Sequence, residues 1–199
     1  MSEILLSNRK LPVGSKGTLA SGWWGMIALI ATEATLFAYL LFSYFFLASH
    51  ALGRWPPYGP PKLRIAVPGT LILILGSVVM AWGERGIERG KPRRLMAALT
   101  AALVLGIAFL AMQFYEWSGE PFKLSTGVYS SLYFTITGFH MLHVLVGLLM
   151  LVFLLLWTGF GYFNAVRHAA VSIGVIYWHF VTVVWIAVFF TFYIAPRLG

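Results

Sequence analysis

The chain has 199 residues, 60% of them hydrophobic and only 10% charged, and a mean hydropathy of +0.84 excludes a soluble domain in favour of a polytopic membrane protein. With no Cys it can build no disulfide, iron–sulfur cluster or thiolate copper centre. The net charge of +8 does not point to nucleic acid, because the 14 basic residues are scattered through loops and tails, where they read as topology signals beside lipid headgroups.

Residues 1–21 read as a polar, cytoplasmic N-terminal tail, and residues 22–199 as one domain of five transmembrane helices with no internal repeat. A span needs about 20 helical residues at a rise of 1.5 Å. The first is predicted from Gly22 to Leu47, too long for a signal-peptide core, so it is expected to stay attached as a membrane helix. It carries Glu33, the only formally charged side chain between Lys16 and Arg54. A charged carboxylate at mid-bilayer costs about 2.5 to 3.5 kcal/mol, which makes Glu33 a functional-site candidate: a proton-linked carboxyl or a lining group for a lipid or gas path. The plainer reading is a protonated or His-paired packing residue. The other five acids, Glu3, Glu84, Glu88, Glu116 and Glu120, fall in tails, loops or near helix ends, leaving Glu33 as the one deep acid.

After the first span comes RWPPYGPPK, residues 54–62, whose four prolines read as an extended, stiff connection. Trp55 and Tyr58 suit the headgroup boundary, and the loop is either a rigid spacer or a docking surface for another subunit. The second span is predicted from Ala66 to Gly83 and is short; the third runs from Leu95 to Trp117, with Gln113 and Glu116 anchoring its far end or meeting a partner there.

The fourth span, Val128 to Trp157, is long enough to tilt and carries His140 and His143. With Gly147 and Met150 they follow an i, i+3, i+7, i+10 stripe, and Gly147 lets a neighbouring helix come close. The fifth, Ala169 to Ile194, carries His179 and Thr182 on a similar stripe. From helical rise, Glu33, His143 and His179 fall at depths of roughly 15 to 22 Å, with His140 a few ångströms further out, so these residues are expected to meet in one intramembrane polar layer. A metal or haem reading is poor, because there is one deep acid, no Glu-x-x-His unit and no deep ligand on the second and third helices. Hydrogen bonding between helices accounts for the histidines and Thr182.

Five spans put the termini on opposite sides. Arg9, Lys10, Lys16, Arg85, Arg89, Lys91, Arg93, Arg94 and Arg167 gather on one, and Arg54, Lys62, Arg64, Lys123 and Arg197 on the other, which places the N-terminus inside and the C-terminus outside.

In order along the chain, GMIALIATEATLFAYLLFSYFF with Glu33, the WPP of Trp55, Pro56 and Pro57, VPGT, QFYEW around Glu116, EPF, GVYSSLYF, TGFHMLHVLVG and YWHFVTVVW resemble subunit III of haem–copper cytochrome c oxidases. The stretch covered runs from about residue 22 to 194. The resemblance implies a non-catalytic, all-helical subunit that holds no metal, haem or copper itself and packs on subunit I, within a complex that contains subunit II. The roles it implies are stabilising that complex, maintaining proton uptake during turnover, holding phospholipid and guiding oxygen. It further implies aerobic respiration at a prokaryotic plasma membrane, with respiratory supercomplexes as wider partners. Glu33 matches the family's carbodiimide-reactive carboxyl, and His140, His143, Trp178 and His179 match signature positions. Longer members carry two helices before the equivalent of Gly22, and many carry Asp where Thr182 stands, so no role of that acid transfers. Short members also serve quinol oxidases, and a nitric oxide reductase accessory protein is related; the WPP favours the cytochrome c enzyme. From other classes, a small proton-coupled transporter and a dihaem anchor remain as rivals.

Overall fold

A computed structural model describes residues 21–198 and is helical throughout its ordered elements. The tail with Arg9, Lys10 and Lys16 lies outside the described residues. Five helices are long and apolar enough to cross a membrane: α1 (Ser21–Ser49), α2 (Leu63–Glu88), α3 (Pro92–Ser118), α4 (Val128–Gly159) and α5 (Ala169–Phe189). A π-helical turn, Phe190–Ile194, and a last helical turn, Ala195–Leu198, continue α5.

The second span is longer than its apolar residues suggest. Hydropathy ends at Gly83, but backbone hydrogen bonding continues through Glu84 and Arg85 until a glycine stops it. Gly90 takes φ +68°, the Gly90 amide donates to Ile87 O at 2.9 Å, and the Lys91 amide donates to Gly86 O at 3.0 Å. That pair of bonds is a Schellman stop, and Pro92 then opens α3 at a position that needs no amide hydrogen. Helix α4 ends the same way, with Gly161 at φ +73° and the Tyr162 amide donating to Trp157 O at 3.0 Å.

Short connections make neighbouring helices antiparallel. Helices α2, α3, α4 and α5 close a ring in which each packs on the next, and α1 lies outside it, against α4 and α5. One end of the bundle holds the α2–α3 and α4–α5 connections and is called the arginine end; the other holds the α1–α2 loop, the α3–α4 loop and the end of α5, and is called the proline end.

Helix α1 docks through Met26, Ile30, Glu33, Phe37, Leu40 and Tyr44, a repeat alternating four and three residues as in a coiled-coil seam. Its opposite face shows Trp24, Tyr39, Phe42 and Phe46 to the surroundings. Lipid gives apolar helices no hydrophobic reason to associate, so close packing of small residues carries the contact. On α2, Gly83 lies against α3 so tightly that a Cβ there would collide with the Cβ of Ala98. Gly83→Leu is therefore expected to push α2 and α3 apart at a cost of about 1 to 3 kcal/mol, visible as a lower midpoint in thermal unfolding of the detergent-solubilised protein.

The ring closes on one side chain. Trp178 of α5 is fully buried, and its indole lies against glycines of all three other ring helices. A Cβ would sit 3.4 Å from its Nε1 if added to Gly76 of α2, 2.8 Å from its Cη2 if added to Gly106 of α3, and 3.0 Å from its Cζ3 if added to Gly147 of α4. Gly147 thus receives a neighbouring helix, as its place on the α4 stripe suggests.

The prolines do not leave the α1–α2 loop standing free. Trp55, joined to Pro56 by a cis peptide bond, packs edge-on to Tyr44 and Tyr129 at 5.8 and 5.4 Å, and Tyr58 stacks on Phe122 at 5.2 Å. Arg197 ties the end of the chain to this loop by donating to Pro61 O at 2.6 Å.

Candidate functional site

Glu33 faces α4 from its seam position, and His143 Nε2 lies 3.0 Å from its Oε2. The second ring nitrogen fixes the chemistry. His143 Nδ1 is 2.7 Å from Phe139 O, an acceptor only, so Nδ1 carries a hydrogen. One further hydrogen then lies between Nε2 and Oε2. Either a neutral acid donates to a neutral ring, or an imidazolium donates to a carboxylate, and both forms keep the bond. Phe37 stands edge-on to His143 at 5.1 Å and walls the pair from the core. On its other side a cavity of about 420 Å³, lined by Leu29, Leu36, Phe139, Val146 and Tyr177, opens outward. Tyr177 OH donates to His143 O at 3.3 Å.

His140 shares the stripe but not the partner. It is wholly buried, its Nε2 donates to Val181 O of α5 at 3.1 Å, and its ring packs 4.9 Å from Trp185 and 5.8 Å from Phe109. Its Nδ1 has no partner among the described residues.

The expected layer joining His179 to Glu33 and His143 does not form. His179 Nδ1 hydrogen-bonds Ser77 Oγ of α2. The reason is rotation: Tyr177, which meets α4, and His179 are two residues apart and so about 200° apart around α5. Helix α5 lies between α1 and α2, and His179 points to α2 while Glu33 sits on α1. Thr182 turns back onto its own helix, donating to Trp178 O at 3.0 Å. Among the described residues, no three His, Asp or Glu side chains converge as metal ligands do.

Glu116, near the end of α3 as expected, is more buried than the deep acid Glu33. Glu116 is 4% exposed, whereas the Glu33 side chain is 29% exposed. Tyr193 OH donates to Glu116 Oε1 at 2.9 Å, Gln113 Nε2 donates to Oε2 at 3.4 Å, and Tyr133 OH lies 3.3 Å from Tyr193 OH. Nearby, Trp117 Nε1 donates to Thr137 at 3.2 Å. Gln113 and Glu116 therefore anchor the end of α3 to α4 and to the end of α5. Ser77, Tyr177 and Tyr193 are the participants that sequence reasoning missed. Ser77 had only a small-residue neighbour, Gly76, to mark it, and Tyr193 only its place at the far end of the last span.

The sequence profile of the family Cytochrome c oxidase subunit III matches residues 15–196. This chain belongs to that family. A cytochrome c oxidase subunit 3 from Synechocystis sp. is 35% identical over 175 residues, covering 86% of this chain and 74% of the relative. The protein of the same name from Thermostichus vulcanus is 34% identical over 178 residues, covering 87% of each chain. A probable cytochrome c oxidase subunit 3 from Nocardia farcinica is 36% identical over 173 residues, covering 85% of each. Membership in an oxidase-subunit family, with five helices able to span a membrane, makes this a multi-pass membrane component of an oxidase complex.

Proposed function

We propose that the chain is the non-catalytic subunit III of a cytochrome c oxidase in a prokaryotic plasma membrane, bound to subunits I and II. There it stabilises the haem- and copper-bearing subunit I and helps sustain its proton uptake through repeated turnovers. The observation that carries this reading is the Glu33–His143 pair: the two side chains share one hydrogen bond between two membrane-spanning helices, and the other ring nitrogen of His143 ends on helix backbone at Phe139 O. Among the described residues no relay of side chains leads from this pair across the bundle. That favours a supporting role over a proton-coupled transporter.

Copurification tests the assignment. A tagged chain isolated in mild detergent is expected to bring haem- and copper-bearing subunits and to oxidise reduced cytochrome c rather than quinol. A stable haem-free monomer with its own transport activity would overturn it. Glu33→Gln can still hydrogen-bond His143 while removing the carboxyl, at a cost of about 0.5 to 3 kcal/mol. Haem content and initial turnover are expected to stay near wild type, while carbodiimide labelling disappears and activity decays sooner under continuous turnover. Immediate loss of oxygen reduction contradicts this role.

The orientation follows from charge: the arginine end, with Arg85, Arg89, Lys91, Arg93, Arg94 and Arg167, faces the cytoplasm. A chain without Cys is a clean background for labelling. A single Cys at Gly90 is expected to resist a membrane-impermeant maleimide in intact cells, and one at Ser125 to react; the reverse pattern inverts the assignment.

A further inference from the structure

Two buried phenols end on a carboxyl group at the proline end. Tyr193 and Tyr133 are 0% exposed, their hydroxyls lie 3.3 Å apart, and Tyr193 OH donates to Glu116 Oε1 at 2.9 Å. The other carboxyl oxygen, Oε2, accepts from Gln113 Nε2, so both oxygens act as acceptors. A phenol is a far weaker acid than a carboxylic acid, and the hydrogen rests on Tyr193. That order reverses when the phenol loses an electron, because a phenol radical cation is a strong acid. The aligned carboxylate then takes the proton along a hydrogen bond that already exists, which makes Tyr193 the phenol of this cluster that is easiest to oxidise.

An aromatic line joins this pair to the α1–α2 loop. Tyr129 stacks on Tyr133 with ring centroids 6.5 Å apart, and the half-buried Trp55 meets Tyr129 at 5.4 Å. Tyr129 OH is buried with no partner among the described residues, so an electron hole on Tyr129 has no proton acceptor and passes on. Phe122 and Phe192 pack edge-on to Tyr133 at 5.6 and 5.3 Å and shield its ring.

We propose that Tyr193 is a redox-active residue whose substrate is a one-electron oxidant of the oxygen-centred radical class. Such a radical at the proline end takes an electron through Trp55, Tyr129 and Tyr133 and becomes its anion. Tyr193 supplies that electron and gives its proton to Glu116, leaving a neutral tyrosyl radical beside a protonated carboxyl. A one-electron reductant at the same end returns the electron by the same line, and the proton goes back from Glu116 to the phenol. Use of this device as a sink for oxidising equivalents that stray from oxygen reduction rests on the oxidase role proposed above; the chemistry of Tyr193 itself does not.

The test uses the full chain in nanodiscs without partner subunits, so its failure leaves the subunit III assignment untouched, and copurification decides that assignment separately. The chain has no Cys, so Arg54→Cys takes a single ruthenium polypyridyl label beside Trp55, and Tyr58→Phe removes an exposed phenol close to it. Flash oxidation of the label with an external quencher makes Ru(III), which returns to Ru(II) as it draws one electron from the chain. Transient absorption and EPR are expected to show a neutral tyrosyl radical that Tyr193→Phe abolishes. Glu116→Gln keeps an acceptor oxygen for the phenol but is no base for its proton, and it is expected to slow radical formation by about a hundredfold, the low end for losing a positioned proton acceptor. Absence of a tyrosyl radical in the labelled parent overturns the proposal without any further variant. A signal that survives Tyr193→Phe unchanged, or a Glu116→Gln chain that reacts at the parent rate, overturns it as well. Trp55→Phe is expected to slow the reaction too, and a rate equal to the parent's overturns the route through Trp55.

Discussion

Trp178→Ala is expected to lower the stability of the bundle by about 3 to 5 kcal/mol, the range for truncating a large aromatic side chain in a close-packed core. In lipid the cost does not come from exposing apolar surface to water; it comes from the dispersion attraction that disappears across a cavity the ring helices cannot close. Trp178 is 0% exposed, and it is the side chain on which Gly76, Gly106 and Gly147 converge. Three glycines make room for one indole, so removing it leaves three helices facing a void with no side chains of their own to fill it. The converse substitution tests the same geometry: at Gly106 a Cβ would sit 2.6 Å from Leu148 Cδ2 and 2.8 Å from Trp178 Cη2. Gly106→Val should therefore also destabilise, by about 1 to 3 kcal/mol. Trp178→Phe should lose less than Ala, because it keeps a six-membered aromatic ring and removes an indole N–H that has no partner among the described residues. Thermal unfolding of the solubilised complex, with retention of this chain as a second readout, checks the order Ala, then Phe, then wild type. A loss below about 1 kcal/mol for Trp178→Ala would mean that α5 collapses onto the glycines, and that they serve no cradle.

What could be read from the sequence divides by physical cause. Hydropathy finds spans because a bilayer demands long apolar helices, and all five were legible on that basis. It misplaces their ends, because a helix stops where a glycine such as Gly90 can reverse the backbone, whatever the polarity of the preceding turn. Rise along the helix brought Glu33 to the depth of His143, and the two do meet. The same measure placed His179 beside them and failed, since depth fixes one coordinate and the contact also depends on rotation about α5. Ser77 could pair with His179 only because α2 and α5 are adjacent in the ring, an adjacency no local pattern records. Glu116 looked peripheral from its position near the end of α3. It is buried in part because the π-helical turn of α5 carries Tyr193 onto its carboxyl.

Glu116→Leu is expected to cost about 2 to 6 kcal/mol, since it strands two buried donors at about 1 to 3 kcal/mol each. Tyr193 OH gives its hydrogen to Oε1 and Gln113 Nε2 gives one to Oε2, and apart from Tyr133 OH, 3.3 Å from Tyr193 OH, neither has another acceptor among its hydrogen bonds in the described residues. Tyr133 OH, 3.3 Å from Tyr193 OH, then donates to a phenol that has lost its own acceptor. Replacing Glu116 by Gln preserves one carbonyl oxygen for Tyr193 and should cost far less, while Tyr193→Phe should cost about 1 to 3 kcal/mol by itself. Because the groups act as one network, Glu116→Leu combined with Tyr193→Phe should cost less than the sum of the two, with a coupling of about 0.5 to 3 kcal/mol. Unfolding midpoints of the four proteins give that coupling. The carboxyl fastens the ends of three helices, α3, α4 and the extension of α5, so the damage should appear in this chain's own stability before any subunit is lost. If Glu116 served instead as a contact to a partner, Glu116→Leu would release subunits at an unchanged midpoint and the cycle with Tyr193 would show no coupling.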